Sequence, residues 1–379
     1  MRIPAPLILG AGPAGCAAAI ALARAGQRPV LVDRDEQVGD ALCGGFISWR
    51  TAEQLAGLGI DCSALGAHRV GHLRIYAGQR CINLPLPALA WGLSRHALDS
   101  AMRIAAVAEG AELEIDSIRS LDGLIAKGTR RDWTGDALFL ASGKHDLRGF
   151  ARPRDASDPA LGLRLRLLPG ADIARQLEGT IELHLFDGGY AGIVLQEGGS
   201  ANICLAIKKS LLTASSADPR RLLTDLAQRH PAFGARLEGS WREQPIDTIG
   251  AVPYGWIARD TPSGLFRLGD QAAVIPSLAG EGMAIALASA QLAAQHWLGG
   301  GAHAAPVFQR QFAGAAAAPL RIAGIARTVA ESPALARPSL AVLGRIPRIA
   351  AILLDRTRIE ITPSLAPDCV AANTRANPT

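Results

Sequence analysis

The chain has 379 residues, 49% of them hydrophobic and 19% charged, with a formal net charge of +5. That length can bury a large core and fits two lobes, while so mild a charge with aromatics at only 4% gives no footing for nucleic-acid binding. The six cysteines (Cys16, Cys43, Cys62, Cys81, Cys204 and Cys369) have neither a C-x-x-C pair nor metal-ligand spacing, so they read as reduced thiols in a cytoplasmic protein.

The stretch from Pro6 to Asp33, PLILGAGPAGCAAAIALARAGQRPVLVD, reads as strand, glycine turn, helix and strand. Leu7, Ile8 and Leu9 suit a buried parallel strand, and Gly10-x-Gly12-x-x-Gly15 follows directly. Gly10 makes the tight turn, Gly12 lets the backbone approach a pyrophosphate, and Gly15 lets the helix pack close on the strand. The helix from Pro13 to Ala25 is almost wholly small and apolar, which leaves its first N–H groups and dipole end free for phosphates. Its apolar character belongs to this fold and not to a signal peptide. Val30 to Val32 give the next strand, and Asp33 ends it, eighteen residues past Gly15. A carboxylate there accepts hydrogen bonds from an adenosine ribose and repels a 2′-phosphate, so FAD or NAD fits better than NADP.

A glycine-rich loop from Asp35 to Ser48 leads to a helix from Trp49 to Leu58, with Thr51 as its expected cap, and Val70 to Leu84 alternates like a covering hairpin. Leu93 to Glu109 is a helix capped by Ser94, followed by the strands AELEI and Leu138 to Ala141. From 152 to 262 the pattern becomes antiparallel: strands at Leu161–Leu168, Thr180–Phe186, Tyr190–Gln196 and Ala201–Ile207, with one helix from Leu222 to Leu237. Leu265 to Gly269 resumes a buried strand, a loop carries Pro276, Gly280 and Gly282, and a long small-residue helix begins near Met283. Residues 305–358 read as helical, with a tail beyond. No apolar run of about eighteen residues occurs, so no spanning helix is expected.

Asp270 at a strand end can hold a chain of hydroxyls, and the glycine-rich helix start after it can hold negative charge. One ligand needs both: FAD, through its ribityl chain and the electron-rich edge of its ring. Here the sequence resembles FAD-dependent oxidoreductases of the para-hydroxybenzoate hydroxylase fold, within them the geranylgeranyl reductase-like group. The motifs are GAGPAG with Asp33, Ser94-Arg95 followed by LD, ASGKHDLRG from Ala141 to Gly149, and Gly269-Asp270 with GEGM, together spanning about the first 300 residues. The resemblance implies an α/β chain. A Rossmann-like FAD-binding domain (1–150, with the hairpin near 70–85, and 263–300) carries an inserted α+β substrate domain (151–262), and C-terminal helices and a tail follow (301–379). It implies cofactor contacts from Gly10, Gly12, Pro13, Ala14 and Gly15 at the pyrophosphate and from Asp33 and Arg34 at the adenosine end. It also implies Arg95 at the phosphates or ribityl chain, Gly269 and Asp270 at the ribityl hydroxyls, and Gly280, Gly282 and Met283 along the isoalloxazine. No second GxGxxG exists, so NADH or NADPH would bind transiently as reductant.

Cys43-Gly44-Gly45 is similar to the cysteine-glycine loop of geranylgeranyl reductases, which lies near the flavin, and this makes Cys43 a candidate for catalysis. The segment from Gly189 to Ile207 aligns with the YxWxFP segment of those reductases, but Gly192 replaces the tryptophan and Leu195-Gln196 replaces FP. CGGF, GKHDLRG and GYAG together look more like the flavin hydroxylases that accompany type III polyketide synthases. The expected reaction is therefore hydroxylation of an apolar phenolic or polyketide-like small molecule through a flavin C4a-hydroperoxide. The alternative is ene-reduction of an isoprenoid double bond. Tyr190, with Tyr254 and Trp256, is expected in the pocket wall, and its phenol can donate to substrate. His145 and Asp146 are expected to be structural, near the adenine end. Ser339 to Arg358, with four arginines among aliphatics, either packs its apolar stripe on the body or touches a membrane surface.

Overall fold

In a computed structural model of the chain, which describes residues 5–359 except 155, 238 and 240, the N-terminal segment forms β1 (Leu7–Leu9), α1 (Pro13–Arg24) and β2 (Val30–Asp33). β1 is fully buried, and Gly10 turns away from it at φ +110. A Cβ on Gly15 would lie 1.8 Å from the Gly10 carbonyl oxygen, so only glycine lets α1 start this close to the strand.

The chain continues through β3 (Phe46–Ile47), α2 (Trp49–Gly57), the long hairpin β4 (His68–Ala77) and β5 (Arg80–Gly92), α3 (Arg95–Ala108) and β6 (Glu112–Ile115). Three short strands, β7 (Ser120–Asp122), β8 (Ile125–Lys127) and β9 (Asp132–Thr134), make a small sheet of their own before β10 (Leu138–Leu140). Next come β11 (Ala160–Leu167), α4 (Ala171–Leu177), β12 (Gly179–Phe186), β13 (Gly189–Leu195), β14 (Ala201–Lys208), α5 (Lys209–Ala214), α6 (Pro219–Arg229), α7 (Pro231–Gly234) and β15 (Asp247–Val252). The chain then returns through β16 (Leu265–Arg267) to α8 (Gly282–Gly300) and ends in α9 (Ala305–Ala330), α10 (Pro333–Arg345) and α11 (Pro347–Arg356).

Two sheets organise the molecule. The parallel sheet has the order β16-β10-β1-β2-β6, with α1 and α8 in one buried cluster against it. The eight-stranded sheet has the order β15-β11-β14-β13-β12-β4-β5-β3. One face packs on α4, α6 and α7 through Ile173, Leu222, Leu226 and Phe233. The other meets α9–α11 through Ala330, Leu340 and Ala350.

Several local expectations change. The α2 cap is Ser48, whose Oγ accepts from the Thr51 N–H at 3.4 Å, because Ser48 has the extended backbone of a cap and Thr51 already lies in the first turn. The helix expected over 222–237 is two helices, because Pro231 has no N–H to continue α6. The basic helix over 339–358 likewise breaks at Ile346, which precedes Pro347 and takes φ −132, ψ 76. The hairpin grouped with the first lobe pairs instead with β12, in parallel, and so belongs to the eight-stranded sheet. From residue 360 the expected tail, with Cys369, lies outside the described residues.

Candidate active site

α1 begins at Gly12 with no side-chain cap and no acid in its first turn. A Cβ on Gly12 would meet only the Arg95 guanidinium, at 3.6 Å, so the free N–H groups of the helix face open space beside a cation. Arg95 is fixed by two bonds to Asp99, at 2.7 and 2.6 Å. Burial opposes its charge, but Asp99 more than offsets this and raises its pKa. At the end of β2, Asp33 accepts from the Ala11 N–H at 2.6 Å and the Asp35 N–H at 3.0 Å, with Arg103 at 3.4 Å. Its neighbour Arg34 pairs with Asp35 at the rim.

α8 offers a second free helix start. Gly282 opens it without a side-chain cap, and nothing lies within 4 Å of where a Gly282 Cβ would be. Just before it, Gly280 has φ +67, and a Cβ there would come within 2.9 Å of the Phe46 ring. Gly269, at φ +55, allows the strand end to pass within 3.3 Å of Ala14, as measured from a built Cβ. The Asp270 carboxylate lies 3.7 Å from Lys144 Nζ, and its carbonyl accepts from Arg152 at 2.9 Å.

These features share one cavity of about 1410 Å³, larger than the roughly 300–1,000 Å³ of an ordinary ligand site. The sequence-predicted site residues line it, except Gly15, which sits behind the turn, and Trp256, which was expected in the pocket wall but lies outside the lining with its ring 5.9 Å from the Arg267 guanidinium. The cavity has a polar arm along α1, β2 and α8. Its aliphatic arm runs between Leu73, Leu84 and Leu183 of the eight-stranded sheet and Ile322, Leu343 and Leu354 of the C-terminal helices.

The fit to a dinucleotide rests on the cradle itself: two uncapped helix starts with glycines at both, and a carboxylate at the end of β2. Residues 5–123 match the FAD binding domain family. The chain is an FAD-dependent oxidoreductase. Its fold is that of the para-hydroxybenzoate hydroxylase group. It is similar to the Pseudomonas aeruginosa PqsL structure in complex with 2-aminobenzoylacetate, with a TM-score of 0.69 at 17% identity over 88% of this chain and 98% of that one. The menaquinone reductase of Mycolicibacterium smegmatis is 26% identical over 333 residues, 78% of this chain and 76% of the relative. Digeranylgeranylglycerophospholipid reductase 2 of Methanopyrus kandleri is 23% identical over 315 residues, 76% and 75% of the two chains.

Where the two arms of the oxidoreductase meet, the turn before α8 is held from several sides. Tyr190 OH lies 2.7 Å from Ser277 Oγ and accepts from the Leu278 N–H at 2.9 Å, and Tyr254 OH donates to the same Ser277 Oγ at 2.9 Å. Burial raises the pKa of both phenols, so neither is a base, and the bonds of Tyr190 are those of a residue that positions the turn. The Cys43 loop lies across from it. Asn202 Nδ2 donates to the carbonyls of Cys43 and Gly44 at 3.1 and 2.9 Å, and Gly45, at φ +71, makes room for the Gln196 side chain. Cys204 also lines the cavity, but burial pushes its thiol up to about 12, so it stays protonated.

Asp146 accepts from Arg152 at 2.7 Å and from Arg154 at 2.6 Å. Burial raises its pKa, but the two arginines lower it further. It lines the cavity rim, and its two arginine partners tie down the 142–149 loop. Sequence reasoning missed Lys144 on that same loop, as well as Ser277 and Asn202. Lys144 had a usable signal: it follows β10, and ligands of such sheets sit beyond the carboxyl ends of the strands.

Proposed function

We propose that this oxidoreductase is a monooxygenase that hydroxylates an apolar phenolic or polyketide-like molecule, with NADH or NADPH as transient reductant. The observation that carries the reading is the continuity of the polar arm with a wide aliphatic arm. At Gly192, in the wall of that arm, a Cβ would find its nearest neighbour at 3.7 Å. The wall carries no side chain at the position where the geranylgeranyl reductase motif has a tryptophan, and a ring-bearing substrate suits it.

In this reading Gly10, Gly12, Pro13, Ala14 and Arg95 hold the pyrophosphate region of FAD, with Gly15 supporting the turn, and Asp33 with Arg34 holds the adenosine end. Gly269 and Asp270 would take the ribityl hydroxyls, and Gly280, Gly282, Met283, Gly44 and Gly45 would line the ring's part of the cavity. Bound FAD supplies hydride acceptance and oxygen activation. The residues of the chain orient and shield. The aliphatic walls exclude water from the reacting region. The hydroxyls of Tyr190, Tyr254 and Ser277 keep the turn rigid. Lys144 Nζ stays charged because Asp270 outweighs its burial, and it holds the oxyanion of an ionised phenol, which makes the ring carbon more electron-rich.

Oxygen uptake tests this. With NADH or NADPH and a panel of alkyl-substituted phenols, the reading expects substrate-dependent uptake and a product heavier by one oxygen atom.

A second reading, reduction of an isoprenoid double bond, draws support from the names of the two sequence relatives and from Cys43 in the cavity wall. Anaerobic turnover of a prenyl substrate, with no oxygen uptake on any phenol, would favour it and overturn the first.

A further inference from the structure

We infer that the outer faces of α10 and α11 dock on the surface of a bilayer containing anionic phospholipid, and that the aliphatic arm of the cavity opens there. Leu335 and Val342, seven residues apart on one face of α10, are exposed, and so is Ile346 at the cap that follows it. On α11, Arg348, Ile352 and Arg356 are exposed at spacings of four, and Ile352 is 57% accessible. Adjacent helices therefore present bare aliphatic side chains on their outer surfaces, which a soluble surface does not need.

The charge of the same segment selects the partner. Between Glu331 and Asp355 the sequence has no acidic residue, while Arg345 and Arg348 are exposed. Asp355, the next acid, is paired with Arg50 at 2.8 Å. Arginines around an aliphatic patch suit an anionic headgroup layer, with the side chains reaching up to phosphates while the aliphatics enter the acyl boundary. A second copy of this chain fits less well, because a two-fold pairing of this face opposes arginine to arginine with no acid between them.

Continuity with the cavity supplies the third argument. Val342 of α10, Leu353 of α11 and Ile325 of α9 are exposed and also line the cavity, with Ile325 61% accessible. The mouth of the aliphatic arm thus lies within the proposed contact, so a poorly soluble substrate passes from the acyl layer to the ring without crossing water. No helix among the described residues is long and apolar enough to cross a membrane, so the contact is peripheral. The inference does not depend on which reaction the enzyme runs.

Sedimentation of the full-length holoenzyme with vesicles tests it. The protein is expected to pellet with vesicles of phosphatidylcholine and phosphatidylglycerol and at least about tenfold less with phosphatidylcholine alone. The triple variant Arg345→Gln, Arg348→Gln, Arg356→Gln and the double variant Ile346→Ser, Ile352→Ser should each lose that binding while keeping wild-type flavin content and melting temperature. Wild-type protein that stays in the supernatant with both vesicle types, or pellets equally with both, overturns the proposal. So does a vesicle-free dimer that the double variant dissociates, which would assign the face to a second copy. None of these results bears on oxygen uptake, so the monooxygenase reading stands or falls separately.

Discussion

Glu281 and Arg358 form a buried ion pair that ties the end of the described chain to the turn preceding α8. Arg358 also lies over the Trp49 ring at 3.8 Å, so one guanidinium joins the α8 turn, α2 and the segment after α11. Removing it leaves a buried carboxylate without its partner, which costs about 3–5 kcal/mol. Arg358→Met is expected to lower the unfolding free energy by roughly that amount in a denaturant titration, and to weaken flavin retention by loosening the turn.

The same carboxyl gives a pH dependence. Burial raises Glu281 to about 7 from an ordinary value near 4.5, against the pull of Arg358 and Ser48. A group that binds its proton more tightly when folded stabilises the fold at low pH and loses that contribution as pH rises through the folded value. The contribution of Glu281 is therefore present below about pH 4.5 and gone above about pH 7. Denaturation midpoints measured across that window should fall more with rising pH in the wild type than in Glu281→Gln.

Gly192→Trp tests the proposed shape of the substrate arm. The built Cβ meets only ordinary contacts, and the indole would extend into the cavity. Flavin content should be unchanged, and phenol-dependent oxygen uptake should fall by about 100-fold, equivalent to a little under 3 kcal/mol of transition-state binding. Unchanged uptake would remove Gly192 from the substrate wall.

Lys144→Met removes the cation beside Asp270 without opening the core, since the side chain faces the cavity. If it holds a phenolate oxygen, kcat should fall by about 10²–10³-fold. The loss should be greatest at pH values where the free phenol is neutral, and Lys144→Arg should recover part of it. A flat loss across pH would mean that Lys144 only positions Asp270.

How much of this was legible follows from the range of each interaction. Leu7 to Asp33 could be read outright because its strand, glycine turn, helix and acid are all set by local sterics. The strands around Thr180 and Tyr190 showed in local alternation. The three-residue strands β7–β9 are too short for any periodicity to register. The parallel partner of β4 lies about a hundred residues away in β12, and no local pattern encodes that choice. Proline breaks at Pro231 and Pro347 were legible in principle, but apolar periodicity outweighed them. At the site, the glycines announced themselves through their own backbone needs. Ser277, Asn202 and Lys144 acquire meaning only when β13, β14 and the loop after β10 converge, which is a property of the fold.

The central claim is that the glycine turns at Gly12 and Gly282, 270 residues apart in sequence, hold one FAD between them. Titration of apo-protein with FAD, followed by flavin fluorescence, tests it most directly in the wild type and in Gly12→Val and Gly282→Val, two cavity-wall positions where a Cβ would meet only the Arg95 guanidinium at 3.6 Å and nothing within 4 Å, respectively. The account predicts one FAD per wild-type chain and affinity at least about tenfold weaker in each variant, with melting temperatures unchanged. A Gly282→Val protein that binds FAD as tightly as the wild type would contradict it.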